Sequence, residues 1–452
     1  MAANQGRMGL VAAMLAAGAI WPLGSARPSF WACAGALLCY VMIVDLFVHR
    51  RLVQVDSPLL KAAAGLAGLL IVCAFVQAVP IAPSGLAHPA WETSAAALGL
   101  QPPGLAAISA NPTATVRTSI LGLVIILFAL SGLVAGRRRS SAYLALDIVL
   151  ASVTLAALSS LVLALFGNPF PWLADRWAYL DRPAGPFVNP NMFGYLCAAG
   201  VLISGALGLR AVSRSMGSDA GWRADIVDFF SSLAGRPGLY LISLLICAHA
   251  LLATASRNAL GSLAVSGLVA LIAALLLVRG RHAGGLVLIA GVLVVVVVIS
   301  PAGGLLAERV AWAAVDERVQ IYADVETAVR ANPLFGHGLG AFADAFPVYQ
   351  SSFRPGGARV LYAHSSWLGL AFDLGLTGVI IGGVAAASAF GHFARQSLRR
   401  GSALDPLALG LISLTAVFGA LDDPFQTPGA VFAVIFTVGV CAASQRRWRA
   451  SG

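Results

Sequence analysis

Charge is the scarcest property of this 452-residue chain. Only 11% of its residues are Asp, Glu, Lys or Arg, against about 25% in soluble globular domains. Hydrophobic residues make up 59%, and the mean hydropathy is +0.86. A chain with this balance cannot cover itself with a water-soluble surface, so we expect an all-α polytopic membrane protein.

The sequence also lacks any cysteine pattern that builds a metal or disulfide site. Its six cysteines lie in apolar runs without a CxxC pair, so we expect no metal and no cofactor. Lysine is scarce too, because Lys61 is the single lysine and nearly every cation is an arginine. The formal net charge of +10 is explained by membrane topology, and we expect no nucleic-acid partner.

Long apolar runs, by contrast, are abundant. A span needs about 17–25 residues, and hydropathy predicts about twelve. They lie near 8–24, 30–48, 59–80, 118–135, 142–167, 190–209, 238–255, 258–278, 284–300, 365–392, 405–421 and 427–444. The first run could instead be a signal peptide, with Arg7 before its apolar core and small residues near Ser25. In a chain with so many spans we favour an uncleaved first helix.

The arginines predict the orientation. With the N-terminus inside, the inner segments hold 19 of the 29 Lys and Arg residues, and both termini are cytoplasmic. Eight of the other ten fall in the outer segments 168–189, 256–258 and 301–364. The predicted parts are transmembrane helices 1–9 over 1–300, a periplasmic cap loop over 301–364, and helices 10–12 with a basic cytoplasmic tail over 365–452.

The cap loop has its own predicted structure. Residues 316–331 predict a helix that Asn332-Pro333 ends, with an i,i+4 pair between Glu326 and Arg330. Its expected apolar face holds Val315, Val319, Tyr322 and Val329. GHGLG at 336–340 predicts a flexible turn. Together these features predict a small helical cap over the outer mouth.

His364 is the first candidate for catalysis. It falls where a polar segment meets an apolar helix, and on an ideal helix Gly375 and Gly378 lie within about 40° of it. We expect the two glycines to let a neighbouring helix approach closely. A neutral imidazole at a helix start is a competent general base. The alternative is a histidine at the membrane interface or in a capping region, and Ser365 is more simply an N-cap.

Arginines are the second class of candidate. Arg257 lies in a very short outer turn that needs no cation, and charges held near membrane depth tend to be functional. Arg182 and Arg318 are candidates for binding phosphate, because the guanidinium fork suits phosphate and pyrophosphate. The alternatives are a loop cation near headgroups for Arg182 and a stacking pair with Tyr322 for Arg318.

Several polar residues are candidates for sugar or acceptor contacts. They are Asn191, His337, Tyr322, Arg359 and Asp423. Asn189-Pro190 is most simply a helix start, which leaves Asn191 a lesser lining role. Asp423 either caps a helix or orients the base and binds sugar hydroxyls. Asp373 projects about 180° from His364 on an ideal helix, so we do not expect it to act on the same atom.

This set of residues limits the chemistry. Outside the cell membrane there is no ATP, so a transferase there needs a donor that is already activated, such as a sugar on a lipid pyrophosphate. Arginines must then stabilise charge on the departing pyrophosphate, and a base must take a proton from the acceptor hydroxyl. Magnesium is dispensable if arginines do its work.

The sequence also resembles a known family. His364-Ser365, nine residues, Gly375, two residues and Gly378 resemble the histidine motif of the O-antigen ligase and O-antigen polymerase superfamily, which includes pilin-type O-oligosaccharyltransferases. NPLFGHGLGAF at 332–342 resembles the turn that precedes this motif. Segments in matching places are 182–196, 256–260 and 421–429. The resemblance covers nearly the whole chain, including the large loop between spans nine and ten.

The resemblance implies a GT-C-like, metal-independent, inverting glycosyltransferase of the bacterial inner membrane with a periplasmic site. Its donor would be an undecaprenyl-pyrophosphate-linked glycan, among membrane lipids. His364 matches the family's essential histidine and Arg257 a functional arginine after span seven. Arg182 matches an arginine before span six more loosely, and Asp423 an acidic position in the last outer loop.

The acceptor stays open between two alternatives. It is lipid A-core sugar for a ligase, which we favour slightly because the long C-terminal domain expected of pilin-type transferases is not seen. It is another lipid-linked glycan for an O-antigen or exopolysaccharide polymerase. A polysaccharide transporter or flippase would predict repeats and mid-membrane charges, which are not evident. A scaffold of a polysaccharide assembly complex would tolerate loss of His364.

Overall fold

A computed structural model of the chain describes residues 2–49, 57–167, 178–215, 230–277, 318–351, 359–399 and 402–443. The helices in these ranges are α1 (Ala2–Gly18), α2 (Pro28–His49), α3 (Pro58–Ala78), α4 (Ala90–Ala97), α5 (Pro112–Ala135), α6 (Arg139–Ala164), α7 (Pro190–Ser215), α8 (Arg236–Ala253), α9 (Arg257–Leu277), α10 (Arg318–Ala331), α11 (Phe342–Ala345), α12 (Ser366–Leu398), α13 (Asp405–Leu421) and α14 (Pro428–Ala443). Short 3-10 turns follow at Leu23–Ser25, Phe346–Val348 and Pro424–Gln426.

The helices confirm an all-α polytopic membrane protein. Eight of them in the described ranges are long and apolar enough to cross a membrane: α2, α3, α5, α6, α7, α8, α9 and α12. Residues 7–18 of α1, together with α13 and α14, form shorter apolar helices. Eleven of the twelve predicted spans therefore coincide with helices, and the ninth, at 284–300, lies outside the described residues.

A polar cap followed by proline starts several of these helices. Ser57 accepts a hydrogen bond from the Leu60 N–H at 3.4 Å, and Asn111 accepts one from the Ala114 N–H at 3.0 Å. Proline follows each of these caps. Proline suits the first helical position because its missing N–H would have no intrahelical partner there. The Asn189 side chain likewise accepts from the Asn191 N–H at 2.8 Å, as the sequence predicted.

Glycines let α5 and α14 pack closely. A Cβ placed on Gly132 would meet the backbone of Gly439, and a Cβ on Gly439 would meet the backbone around Ala129. Beside them the rings of Phe128 and Phe432 stack with centroids 4.3 Å apart. Lipid is as apolar as these side chains, so close contact of small residues supplies the packing energy inside a membrane.

The loops after α3 and before α12 form a second, smaller core at one end of the bundle, which we call the loop end. The loop over 79–111 contains α4 and a two-stranded antiparallel sheet, in which Ala82–Pro83 pairs with Leu105–Ala106. It contacts the loop over 332–351 through backbone and side-chain hydrogen bonds. The buried apolar residues of this core are Ile321, Val325, Ala328, Phe342, Ala345, Phe346, Val360, Ala363 and Phe372.

The cap helix α10 exists, but its predicted apolar face was only partly right, since Val329 packs against the loop core and Val319 does not. Val319 is 64% exposed, whereas Ile321, Asp324 and Val325 are buried. Asp324 can face inward because its carboxylate accepts hydrogen bonds from the Gln320 amide at 3.1 Å and the Ser351 N–H at 3.2 Å. A count of apolar residues does not detect a buried acid of this kind. Val315 lies outside the described residues, and the Glu326–Arg330 pair forms at 2.7 Å.

Candidate functional site

His364 lies just before α12 and not on it. The helix begins at Ser366, and Ser365 caps it by accepting a hydrogen bond from the Leu368 N–H at 3.3 Å. His364 itself has a left-handed backbone with φ of 53°. The expectation that His364 shares a helical face with the two glycines was therefore wrong, because the helix starts at Ser366, after His364 and its neighbour Ser365.

Gly375 interrupts α12. A loop packs against it where we expected a neighbouring helix. Its φ of 68° and ψ of −169° break the helical ladder. The freed carbonyls of Phe372 and Asp373 accept hydrogen bonds from the His337 and Gly338 N–H groups at 2.8 and 2.9 Å. A Cβ on Gly375 would lie 2.5 Å from the Leu334 carbonyl carbon. The GHGLG segment is thus a fixed turn that packs into the break of α12.

The atoms nearest to Gly378 belong to its own helix. A Cβ built on it would meet the side chain of Leu374, one turn earlier in α12. The second glycine of the motif therefore accommodates the distorted turn of its own helix. Both glycines serve packing, but the partners are a loop and the interrupted helix.

Two tyrosines hold His364. The Tyr322 hydroxyl on α10 donates a hydrogen bond to the His364 carbonyl at 3.0 Å. The Tyr362 ring packs on the imidazole with centroids 4.4 Å apart and planes at 53°. A left-handed conformation costs a non-glycine residue about 1–2 kcal/mol, which surrounding contacts must offset. Tyr322 and Tyr362 are the contacts that fix this backbone and the ring it carries.

Asp422 joins three helices beside this histidine. Its Oδ2 lies 3.5 Å from the Arg318 guanidinium and accepts a hydrogen bond from the Asn191 amide at 2.9 Å. Its carbonyl accepts from the Ser366 N–H at 3.2 Å, next to the Ser365 cap. Burial raises the pKa of the Asp422 carboxyl, and the Arg318 charge opposes that rise. The junction links α7, α10 and the start of α12.

Asp423 has a capping role. Its Oδ1 accepts from the Ser366 hydroxyl at 2.9 Å and the Phe425 N–H at 3.2 Å, and its Oδ2 accepts from the Gln426 amide at 2.8 Å. Burial raises the pKa of this carboxyl, and these hydrogen bonds lower it. Of the two neighbouring acids, Asp422 is the one paired with a candidate arginine.

Arg257 reaches the same end of the bundle from another helix. It is the first residue of α9 and is exposed, and Ala255, two positions before it, has a left-handed backbone with φ of 50°. The next residue, Asn258, donates its amide to the Phe418 carbonyl in the last turn of α13 at 3.0 Å. Arg318 donates to the Leu421 carbonyl, one turn further on. Arg257 and Arg318 therefore flank the end of α13.

Arg182 is connected to His364 through tyrosines. It lies 5.4 Å from the centre of the Tyr179 ring and pairs with Asp181 at 3.0 Å. Tyr179 is near enough to Tyr362 to raise the pKa of the Tyr362 hydroxyl, although burial is the larger cause of that rise. Tyr179 also has a left-handed backbone, with φ of 55°.

A comparison with known proteins finds a match that includes residues of the loop end. Residues 242–382 match the family model for O-antigen ligase. We call residues 242–382 the O-antigen ligase segment, after the family model that they match. The match covers less than half of the chain and supports the predicted resemblance to the O-antigen ligase-related superfamily. No curated protein matches the chain.

The O-antigen ligase segment covers most of the candidate residues. It contains Arg257, the whole of α10, the GHGLG turn, His364 and the break at Gly375. It ends before the Asp422 junction and begins after Arg182 and Asn191. The site at the loop end therefore draws its histidine and two arginines, Arg257 and Arg318, from inside the matched segment and its acid from outside it.

Two candidates inside the O-antigen ligase segment lie away from His364. His337 has no exposed surface and packs against Phe372 with ring centroids 4.4 Å apart. The structure thus places it inside the loop core, where a sugar cannot touch it. Arg359 donates to the Ala343 carbonyl at 2.8 Å and pairs with Asp344 at 3.3 Å. It is exposed, and these two contacts belong to the loop.

His337 instead forms a latch with His88 from the loop over 79–111. The Ala90 N–H donates to His88 Nδ1 at 3.1 Å, so the ring proton of His88 sits on Nε2 and points at His337 Nδ1, 2.9 Å away. His337 Nε2–H then donates to the Ala328 carbonyl at 3.0 Å. Both rings are neutral in this chain of bonds. Burial, and secondarily the His337 charge, lowers the pKa of His88 to about 4.

The structure adds residues that the sequence analysis missed. Tyr362 was not considered, although an aromatic residue two positions before the motif histidine was visible in LYAHS. Gln77 and Asp373 were missed as supports of the GHGLG segment. The Asp373 carboxylate accepts from the Gly340 N–H at 2.8 Å, and Gln77 accepts from the Leu339 N–H at 3.1 Å. These contacts join residues that are 262 and 33 positions apart in the chain, so no local pattern reveals them.

Arg318 and Tyr322, one helical turn apart on α10, contact different residues of the site. The alternative interpretation of Arg318, a stacking pair with Tyr322, is not what the structure shows, because Arg318 reaches Asp422 while Tyr322 reaches His364. Among the described residues, no group of three or more His, Cys, Asp or Glu side chains is placed to hold a metal ion.

Proposed function

We propose that this protein transfers a glycan from a polyprenyl pyrophosphate, of the undecaprenyl type, to a hydroxyl acceptor at its loop end. The observation that carries the proposal is the clustering of backbone strain. His364, Ala255 beside Arg257, and Tyr179 beneath Arg182 all have left-handed backbones at this end. Non-glycine residues held in this region concentrate at functional sites. The match to the O-antigen ligase family supports the same reaction class.

In the proposed reaction His364 is the general base. It takes the proton from the acceptor hydroxyl as that oxygen attacks the anomeric carbon of the donor sugar. The bond between the anomeric carbon and the pyrophosphate oxygen breaks, and the electron pair leaves with the polyprenyl pyrophosphate. A single displacement of this kind inverts the anomeric configuration.

Arginines stabilise the leaving group in this proposal. Arg257 and Arg182 bind the pyrophosphate, because guanidinium groups pair well with phosphate oxygens and replace a metal ion in neutralising them. Arg318 is already paired with Asp422, so we assign it the positioning of the loop that holds Ser366 and Asn191. Tyr322 and Tyr362 position His364, which makes them supports of the base.

The acceptor and the location are parts of the same proposal. The acceptor is a lipid A-core sugar if the protein is a ligase, which is our preferred assignment, and a second lipid-linked glycan if it is a polymerase. The site faces the periplasm from the inner membrane, with both termini in the cytoplasm. The arginine distribution supports this orientation.

Single substitutions test the catalytic assignment in cells. His364→Ala and Arg257→Ala should leave folded protein in the membrane while lipid-linked glycan accumulates and surface glycan is lost. Arg330→Ala is the matched control, since Arg330 is exposed on α10 and pairs only locally with Glu326. Normal surface glycan in both site variants would refute the mechanism.

A deletion strain separates ligase from polymerase. Loss of a ligase leaves bare lipid A-core and stored long-chain donor. Loss of a polymerase leaves lipopolysaccharide that carries a single repeat. Gel analysis of lipopolysaccharide together with extraction of lipid-linked glycan distinguishes the two outcomes, and unchanged profiles of both would refute the proposed reaction.

A further inference from the structure

A cleft lies between α7 and α8 at the end of the bundle opposite His364. It has a volume of about 380 Å³, and Arg210, Ser232, Arg236 and Tyr240 contribute polar groups to its lining. The first residues of α7 contact Asp422 at the loop end, through Asn191. Arg210 is 19 residues further along the same helix, a rise of about 30 Å. The cleft is therefore distinct from the proposed transferase site.

The side chains around this cleft are held in place by one another. The Arg210 guanidinium carbon lies 3.3 Å from the centre of the Tyr143 ring. The Tyr240 hydroxyl donates to Asp147 Oδ1 at 2.8 Å, and Arg236 lies 3.7 Å from Asp147 Oδ2. Stacking fixes the plane of Arg210, and the shared carboxylate orients the other two side chains. This preorganisation distinguishes the cleft from scattered surface arginines.

The cleft carries an excess of positive charge. Arg210 and Arg236 line it, and Arg139 is near enough to interact electrostatically with Arg210. Asp147 is the acid that contacts the described lining residues. Two guanidinium groups and a serine hydroxyl facing one cavity suit a phosphate ester, because both supply donors to its anionic oxygens.

Apolar surface continues from the cleft along α8. Leu239 and Ile242 follow Arg236 on that helix and are 63% and 55% exposed. A free phosphate ion has no apolar group that could contact such a surface. A phospholipid does, because its acyl chains lie against exposed apolar side chains while its phosphate stays at the level of the helix end.

We propose that this cleft binds the phosphate group of an anionic phospholipid. Arg210 and Arg236 contact the phosphate oxygens, Ser232 donates to the headgroup, and the acyl chains run along Leu239 and Ile242. The site secures α7 and α8 to the leaflet opposite the transferase site. The proposal does not depend on the reaction at the loop end.

Lipid retention by purified full-length protein tests this proposal. The probe is a phosphatidylglycerol-containing nanodisc, with phosphatidylcholine alone as the neutral reference, and retained lipid is counted by native mass spectrometry. Each arginine near an anionic headgroup contributes about 1 kcal/mol. Arg236→Gln should therefore lower phosphatidylglycerol retention about fivefold, and Arg236→Gln with Arg210→Gln at least about tenfold. Phosphatidylcholine retention should not change.

Controls make each outcome decisive. Arg395→Gln removes an exposed arginine near the end of α12, on the same side of the bundle, and should not alter retention. Arg236 is 71% exposed, so its single variant folds even if the double variant does not. Equal retention by Arg236→Gln and the unsubstituted protein would overturn the proposal. So would displacement of the lipid by inorganic phosphate, which would assign the cleft to a soluble anion.

Discussion

At the scale of single residues, the main feature is a histidine whose backbone is strained and whose ring is held by tyrosines. Tyr322 bonds the His364 carbonyl, and Tyr362 packs on the imidazole. A base must keep its position while it takes a proton, because small displacements of a reacting group reduce the rate steeply. We therefore expect the tyrosines to contribute to turnover more than to substrate binding.

Substitution of Tyr322 tests that expectation. Tyr322→Phe removes one hydrogen bond with a net value of about 0.5–1.5 kcal/mol, so kcat should fall roughly 2- to 10-fold. The KM for the lipid-linked donor should stay within about twofold, because the tyrosine contacts no donor group in the proposal. Tyr40→Phe, at a 68% exposed position on α2, is the control. An unchanged kcat would show that Tyr322 does not position the base.

Individual residues also show how much of the candidate site could be predicted from the sequence. His364 was found because its type, its spacing to the glycines and its place before an apolar helix are all local signals. The local sequence could not show which of the two acids, Asp422 or Asp423, contacts the candidate arginine. The two acids are adjacent, and only the approach of Arg318 and Asn191 from distant helices gives them different roles.

At the scale of structural elements, the break in α12 organises the loop end. The carbonyls freed at Phe372 and Asp373 bind the GHGLG turn, and the Leu376 N–H donates to the Pro333 carbonyl at 2.8 Å. The glycine spacing was visible in the sequence, but it was interpreted as helix–helix packing. A positive φ at Gly375 cannot be read from spacing, because glycine serves both purposes equally well.

Two glycine substitutions in α12 should have opposite effects. Gly375→Ala forces a side chain into a left-handed conformation and against Leu334, which should cost about 2–5 kcal/mol. Gly369→Ala meets no atom within 4 Å and should stabilise the helix by about 0.5–1 kcal/mol. Thermal unfolding in detergent measures both. Similar melting temperatures for the two variants would contradict the break as a required feature.

The His88–His337 latch connects two loops through a bond that needs neutral rings. Protonation of His337 would place a hydrogen on Nδ1, facing the Nε2–H of His88, and the two donors would repel. The pKa of His88 is lowered in the folded protein to about 4. Folding therefore favours the neutral form of His88. The latch contributes its full stability only at pH values at which His88 is also neutral in the unfolded chain.

The latch predicts a stability that depends on pH. Because the folded pKa of His88 lies below 6.5, its contribution is fully present above pH 6.5 and is lost as pH falls towards about 4. The loss amounts to about 3 kcal/mol at most. Hydrogen exchange of the Ala110 N–H, which donates to the His337 carbonyl, should report it after correction for intrinsic rates.

His88→Asn is the matching variant for this measurement. It should exchange faster than the unsubstituted protein at pH 7 and show little further change between pH 6.5 and 4.5. His249→Asn, at an exposed position on α8, should behave like the unsubstituted protein. A pH dependence that persists in His88→Asn would assign the effect to another group.

At the scale of the whole molecule, the chain separates two ends with different chemistry. The loop end holds His364, Arg257 and the Asp422 junction, and the opposite end holds the cleft of Arg210 and Arg236. Hydropathy was sufficient to predict the apolar spans that fall in the described ranges, because each span is a local apolar run. The fold of the loop over 79–111 was missed, because its stability comes from contacts with residues near 337 and 344.

The central claim is that His364 drives transfer of a glycan from a lipid pyrophosphate. The most direct test uses purified protein in liposomes, without any ion gradient, supplied with polyprenyl-pyrophosphate-linked glycan and lipid A-core acceptor. We predict release of polyprenyl pyrophosphate together with glycosylated acceptor, and a loss of about 100-fold or more in His364→Gln but not in His249→Gln. Undiminished release by His364→Gln, or movement of glycan across the bilayer without release, would contradict the account.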